Sequence, residues 1–163
     1  MKTKTNCPYC GATLTTRFTE GRDRRYCDQC RTPIYENPIP ATCLVVVDSD
    51  DRVLLVKRGV EPKIGMWCLP GGFMELDETP ENAAFRELSE ETGLSAANAK
   101  LLGVTSMPND QYHTVLMIGY LVTKYRGLPA AGDDATDLAF FDSDDLPEVA
   151  FQSHKEFIEA YFN

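Results

Sequence analysis

The sequence predicts an α+β protein in which a small cysteine-rich unit precedes a larger domain with a mixed sheet and two helices. Three observations predict this organisation. Four of the six cysteines lie within the first 30 residues. The rest of the chain carries short β-branched runs separated by Gly, Pro, Asn and Asp. Only residues 80–92 and 153–162 have helical character.

Composition and charge narrow the class of protein. The 163 residues are 43% hydrophobic and 25% charged, as in soluble globular proteins. Because no apolar run has membrane-spanning length and no secretory signal is recognisable, we expect a cytoplasmic protein that does not enter membranes. The formal net charge of −9 argues against general binding to nucleic acid. Residues 1–40 carry a net charge of +3 and the remainder −12, which indicates two units.

The cysteines of the first unit form two Cys-x-x-Cys pairs, Cys7/Cys10 and Cys27/Cys30. Two such pairs facing each other across a hairpin make a closed tetrahedral site, so the spacing predicts a structural zinc ribbon. Iron in the same ligand set and a redox role of Cys-Pro-Tyr-Cys are the alternatives. Cys43 and Cys68 stand in apolar surroundings and are expected to be buried small hydrophobes.

Proline-rich residues 33–40 are expected to link the units, with the ribbon over 1–38 and the second domain over 39–163. In that domain Thr42–Asp48 and Arg52–Lys57 read as two strands of a hairpin. The other expected strands are Met66–Leu69, Lys100–Thr105, Thr114–Val122 and Leu138–Phe141.

The helix at 80–92 carries the residues best suited to chemistry. Thr79 is placed as its N-cap, Pro80 as its first residue and Gly93 as its C-terminal cap. Within it, three carboxylates crowd an arc of about 100°: Glu87, Glu90 and Glu91. Like charges so close repel each other, and a hard divalent cation such as Mg²⁺ or Mn²⁺ removes the conflict. A solvated acidic helix face is the alternative.

The segment from Gly72 to Leu94 reads Gly-x5-Glu-x7-Arg-Glu-Leu-Ser-Glu-Glu-Thr-Gly-Leu. It resembles the Nudix box at every specified position. Nearly the whole chain is similar to zinc-ribbon Nudix hydrolases, including Trp67–Gly72 ahead of the box and Tyr35-Glu36-Asn37-Pro38 at the junction. The resemblance implies an α/β/α sandwich and Mg²⁺-assisted attack of water on the pyrophosphate of a nucleoside diphosphate derivative.

The resemblance also assigns roles to residues. It implies that Glu87, Glu90, Glu91 and the Gly72 carbonyl are metal ligands, and that Arg86 braces the box carboxylates. Gly71 and Glu78 would support the loop, although Glu78 could simply interact with the helix dipole. A general base would come from a later loop, where the candidates are Asp133, Asp134 and Asp137. His113 and His154 are expected to be surface or packing residues.

The favoured substrate is ADP-ribose or FAD. NADH pyrophosphatase activity is disfavoured, because the Ser-Gln-Pro-Trp-Pro-Phe-Pro-like array of those enzymes is absent. Hydrolysis of nucleoside triphosphates is an alternative, and a ligand-sensing regulator that binds nucleic acid through the ribbon is another, which the intact box argues against. Trp67, Phe73 and Tyr112 are candidates for stacking an adenine. Family members are often dimers, so a homodimer is expected by analogy.

Overall fold

A computed structural model describes residues 4–109 and 113–163. The described chain contains nine strands and two α-helices. The strands are β1 (Thr15–Thr19), β2 (Arg22–Cys27), β3 (Thr32–Ile34), β4 (Ile39–Val46), β5 (Val53–Arg58), β6 (Trp67–Cys68), β7 (Lys100–Asn109), β8 (His113–Val122) and β9 (Ala135–Phe141), and the helices are α1 (Pro80–Thr92) and α2 (Gln152–Phe162). Neither of these described helices is long and apolar enough to cross a membrane.

Contacts divide the chain into two compact units. The first contains the N-terminal ribbon (residues 4–38), together with the described residues Pro108–Asn109 and His113–Thr114. The second contains the remaining described residues from Ile39 onward. The domain boundary between residues 38 and 39 stays a prediction.

The ribbon is a three-stranded antiparallel sheet in the order β1-β2-β3. Its buried core consists of Cys7, Leu14, Cys27 and Ile34. This small apolar core supplies only part of the free energy needed to fold the ribbon. Bonds between the cysteines and a metal would supply additional stability.

The second unit contains two three-stranded sheets. One has the order β4-β8-β7, with β4 parallel to β8, and the other has the antiparallel order β6-β5-β9. The predicted α+β class with a mixed sheet and two helices is therefore confirmed.

Strand β4 shows why this domain has two apolar layers. Its residues alternate, so that Cys43 and Val45 belong to a cluster with Phe157 of α2. Leu44 and Val46 belong to a second cluster with α1. A strand buried on both faces needs an almost continuous apolar run, which is the pattern that residues 42–47 show.

Two expectations about this region were wrong. Strands β4 and β5 do not form a regular hairpin, because they belong to different sheets and pair along their length with other strands. The two runs meet near the turn, through the bridge Val47–Val53 and the hydrogen bond from the Asp48 N–H to the Arg52 carbonyl. The Asp48 side chain accepts hydrogen bonds from the main-chain N–H groups of Asp50 and Arg52 and shapes the turn at which they separate. The linker is also shorter than residues 33–40, since β3 ends at Ile34 and β4 begins at Ile39.

Candidate active site and cysteine cluster

Helix α1 begins and ends where the sequence predicts. The Thr79 hydroxyl accepts a hydrogen bond from the N–H of Asn82 at 3.2 Å, and Pro80 occupies the first turn. Gly93 adopts the left-handed conformation at φ 67° and donates its N–H to the Ser89 carbonyl. These caps fix the register of the helix, and the register decides which face carries the carboxylates.

The loop before the helix presses directly against β4 and against the glutamates. The Gly72 carbonyl accepts the N–H of Thr42 at 2.8 Å. Gly71 has φ 146°, and a Cβ there would overlap the Thr42 carbonyl oxygen. A Cβ on Gly72 would lie 2.5 Å from an oxygen of Glu87. Gly71 is therefore required for the close approach of this loop to β4, and Gly72 for its close approach to Glu87.

Arg86 holds three of the box carboxylates. Its guanidinium donates to both oxygens of Glu78, to Glu87 at 2.7 Å and to Glu90 at 3.0 Å. It also donates to the Phe73 carbonyl at 3.1 Å. This ion pair lowers the pKa of Glu78 to about 2. Glu78 further accepts the N–H of Glu75 at 2.9 Å, which favours the loop-supporting role.

Glu91 has a different environment from the other two helix carboxylates. It is buried and accepts the N–H of Gly71 at 2.9 Å. Burial raises the pKa of Glu91 to about 8, against the opposing effect of that hydrogen bond, and the charge of Glu87 raises it further. Burial also raises the pKa of Glu87. Loss of hydration, more than mutual repulsion, is therefore the main source of strain in this cluster.

The three glutamates suit a hard cation, although they do not enclose one by themselves. Among the described residues, the set of His, Cys, Asp or Glu ligand atoms that lie within 4.8 Å of one another comprises the four N-terminal cysteines and leaves the glutamates out. Arg86 meets the charge of Glu87 and Glu90, whereas Glu91 is buried without a salt bridge to a described residue. A divalent cation beside Glu91 would relieve that burial cost, so the donor set fits Mg²⁺ or Mn²⁺.

The loop after β8 brings two of the three candidate bases to this site. The charge of Asp133 raises the pKa of Glu87, and the charge of Asp134 raises the pKa of Glu91, both less than burial does. The N–H of Gly132 donates to the Glu91 carbonyl at 3.1 Å. Asp137 lies in β9 opposite Lys57, and its carboxylate accepts the N–H of Leu138. The structure thus brings Asp133 and Asp134, rather than Asp137, to the glutamates.

The histidine and aromatic candidates divide between packing and exposure. His154 is buried and accepts the N–H of Leu69 at 3.1 Å, and burial lowers the pKa of this imidazole to about 3. Trp67 packs edge-on against Phe141 at 5.0 Å between ring centroids, so it serves the core. Phe73 is 44% exposed, and Tyr112 lies outside the described residues. Cys43 and Cys68 are buried as expected.

The four N-terminal cysteines converge. Their sulfur atoms all lie within 4.8 Å of one another, with Cys10 and Cys27 at 3.5 Å and Cys7 and Cys30 at 4.0 Å. Four thiolates at about 2.3 Å from a tetrahedral zinc ion would be separated by about 3.8 Å. The cluster therefore has the size and the donor chemistry of a structural zinc site.

The sequence of residues 37–161 matches the family model of the NUDIX domain. The chain belongs to the Nudix hydrolase family. An ADP-ribose pyrophosphatase of Methanocaldococcus jannaschii is 42% identical over 117 residues, which cover 71% of this chain and 69% of that protein. The NAD-capped RNA hydrolase NudC of Vibrio atlanticus is 30% identical over 88% of this chain, which spans 51% of that longer relative. This Nudix hydrolase is accordingly a pyrophosphohydrolase.

Solved structures show the same fold. A NUDIX hydrolase from Nitrosomonas europaea superposes with a TM-score of 0.80, at 27% identity, over 97% of this chain and 90% of that one. The NUDIX domain of NrtR from Shewanella oneidensis, solved with ADP ribose, shares the fold with a TM-score of 0.70 at 22% identity over 84% of this chain and 92% of that one. The predicted Nudix fold is therefore confirmed.

The sequence did not predict that residues at the end of β5 interact with the site. Arg58 at the end of β5 lowers the pKa of Glu91, and the N–H of Gly59 donates to the Asp134 carbonyl at 2.7 Å. Both contacts join segments that are far apart in the sequence. No local pattern around residues 58 and 59 marks them.

Proposed function

We propose that this Nudix hydrolase cleaves the pyrophosphate of ADP-ribose, with Mg²⁺ or Mn²⁺ bound at Glu87, Glu90, Glu91 and the Gly72 carbonyl. The observation that carries the substrate is the 42% identity to the Methanocaldococcus jannaschii ADP-ribose pyrophosphatase. FAD is the second expected substrate, because it has the same adenosine diphosphate half. In the reaction, a water oxygen bonds to phosphorus and the bridging P–O bond breaks, which yields two phosphate monoesters.

Each side chain of the site has a distinct role in this proposal. Glu87, Glu90, Glu91 and the Gly72 carbonyl would hold a divalent cation, which would neutralise the diphosphate and make the attacking water more acidic. Glu91 provides a buried anionic ligand, whose pKa of about 8 falls when a cation lies beside it. Arg86 fixes Glu87 and Glu90 through its ion pairs. The Gly72 carbonyl, which already accepts one hydrogen bond, has a second lone pair for a metal.

We assign the general base to the loop of Asp133 and Asp134. The charge of Asp133 acts on Glu87 and that of Asp134 on the buried Glu91, whereas the Asp137 carboxylate accepts the N–H of Leu138 in β9. A carboxylate of this loop takes the proton of the attacking water. A replacement of the base by its amide should lower kcat by about 10²-fold or more.

The cysteine cluster is assigned to structural zinc. Its four sulfurs close the coordination sphere, which leaves no position for a substrate. None of the six described cysteines forms a disulfide, in keeping with a cytoplasmic location. A homodimer remains a prediction by analogy with the family.

NAD-type dinucleotides are a further candidate after FAD, because the NAD-capped RNA hydrolase NudC aligns over 88% of the chain. A panel of ADP-ribose, FAD, NADH and nucleoside triphosphates, assayed with and without Mg²⁺, separates the candidates. We expect Mg²⁺-dependent turnover with the highest kcat/KM for ADP-ribose. A higher kcat/KM for NADH or a triphosphate would reassign the substrate, and no turnover of any of them would contradict the proposal.

A further inference from the structure

The loop that carries the candidate base is fixed from two sides. On one side, Gly132 donates its N–H to the Glu91 carbonyl at 3.1 Å, and a Cβ on Gly132 would lie 2.6 Å from the Glu90 carbonyl oxygen. On the other side, Gly59 donates its N–H to the Asp134 carbonyl at 2.7 Å. Between these two attachments Asp133 is held at φ 47°, a conformation that is uncommon outside glycine. Strained backbone of this kind persists where the surrounding structure determines it.

The contact at Gly59 leaves no room for a side chain. A Cβ there would lie 2.9 Å from the methyl carbon of Thr136 and 3.0 Å from the Asp134 carbonyl oxygen. Gly59 does not have a positive φ, so its backbone conformation is open to alanine. Space, rather than backbone conformation, therefore requires glycine at this position.

Gly59 is itself part of a firmly held segment. The N–H of Arg58 donates to the Met66 carbonyl at 2.9 Å, and the N–H of Gly65 donates back to the Arg58 carbonyl at 2.8 Å. The Arg58 guanidinium donates to the Pro62 carbonyl at 2.7 Å and lies 5.1 Å from the centre of the Phe151 ring. If a side chain at position 59 forces the two segments apart, the loop of Asp133 and Asp134 is therefore expected to move more than Gly59.

We propose that Gly59, with Gly132 on the opposite side, is a positioning residue that sets the distance between the Asp133–Asp134 loop and the glutamates of α1. The inference rests on the proposed function, in which this loop carries the general base. Gly59 does not touch the substrate in this proposal. It acts through the Asp134 carbonyl and through the space that its missing side chain leaves.

The test is a kinetic comparison of Gly59→Ala with the wild type, using ADP-ribose and Mg²⁺. Because displacement of a catalytic group by a fraction of an ångström slows chemistry more than binding, we expect kcat to fall about tenfold while KM stays within about twofold. Gly103→Ala is the matched control. A Cβ on Gly103 makes only an ordinary contact with Phe157 at 3.6 Å, so its kcat should equal that of the wild type.

A second substitution separates positioning from general destabilisation. Thr136→Ser removes the methyl group nearest to the new Cβ and keeps the hydroxyl that donates to the Lys57 carbonyl. In the Gly59→Ala background it should restore part of kcat. If Gly59→Ala does not fold, Gly132→Ala takes its place, because its methyl group pushes the same loop from the other side; a fall in kcat at constant KM is again expected.

Three results would overturn the inference: a folded Gly59→Ala enzyme with wild-type kcat, a folded Gly132→Ala enzyme with wild-type kcat, or an equal loss in Gly103→Ala. The turnover of Asp133→Asn and Asp134→Asn distinguishes a failure of the positioning role of Gly59 from a failure of the proposed function. If either abolishes turnover while Gly59→Ala is fully active, only the positioning role fails. If both retain wild-type kcat, the base assignment fails and the inference fails with it.

Discussion

The cysteine cluster and the glutamate cluster are both suited to metal ions, but the protein holds them differently. The four cysteine sulfurs lie within 4.8 Å of one another. The glutamates are held by protein donors instead, with Arg86 on Glu87 and Glu90 and the Gly71 N–H on Glu91. A closed set of thiols is suited to a permanent structural ion, and separately held carboxylates are suited to an ion that arrives with phosphate oxygens.

This difference indicates that a metal in the ribbon would stabilise the fold, whereas a metal at the glutamates would serve activity. In the ribbon, bound metal would compensate for a small core of four buried residues. In the second unit, two apolar clusters pack β4 against α2 and α1, so the folding of this domain is expected not to require an ion. Loss of metal should therefore unfold the ribbon but only inactivate the glutamate site.

The largest effect is expected from Cys27→Ser. Metal binding to such sites is worth on the order of 10 kcal/mol, and most of it is lost with one thiolate. Zinc content should fall from near full occupancy to a small fraction, and the ribbon should become sensitive to proteolysis. Cys43→Ala, at a buried cysteine outside the cluster, should retain its zinc. Equal zinc content in both variants would contradict the structural role of the cluster.

An intermediate effect is expected from Arg86→Lys. A lysine ammonium cannot reproduce five hydrogen bonds to three carboxylates and the Phe73 carbonyl, so the glutamates should lose their alignment. We expect kcat to fall about 10- to 100-fold with zinc content unchanged. Arg52→Lys alters a similar pair with Asp48 and is the matched control, with wild-type kcat expected. Steady-state kinetics that rank the two variants equally would show that Arg86 does not organise the site.

The smallest effect concerns pH and His154. Burial holds the pKa of His154 at about 3, below the value near 6.5 in an unfolded chain. Below about pH 6.5 the imidazole of the unfolded state therefore binds a proton that the folded state does not bind. The free energy of unfolding consequently falls as pH falls from about 6.5 toward 3. His154→Asn lacks this titration, so urea unfolding should show its stability deficit shrinking by about 1 kcal/mol between pH 7.5 and 5.5. A deficit that does not change with pH would contradict the buried neutral imidazole.

The sequence allowed the helix and its carboxylates to be placed, because their determinants are local. The Thr79 cap, Pro80 and Gly93 bound α1 at the predicted residues. The pairing of β4 and β5 could not be predicted, since a hairpin and a pair of separated strands require the same local pattern. Their partners, β8 and β9, lie many residues further along the chain.

The sequence predicted which residues form the candidate site, but not which physical effect dominates the pKa values of its carboxylates. Charge repulsion among the glutamates was expected, yet burial is the larger cause of the raised pKa values of Glu87 and Glu91. The preference for Asp133 and Asp134 over Asp137, and the contact of Gly59 with Asp134, arise only when distant segments meet. Such contacts depend on tertiary packing, which no spacing rule encodes.

The Mg²⁺ dependence of ADP-ribose hydrolysis by Glu91→Gln tests the central claim most directly. Glu81→Gln, on an exposed part of the same helix, is the matched control. We predict that the wild type and Glu81→Gln are activated by Mg²⁺, and that Glu91→Gln loses at least about 100-fold in kcat without losing its fold. Undiminished Mg²⁺-activated turnover by Glu91→Gln would contradict the assignment of this buried carboxylate to metal-dependent hydrolysis.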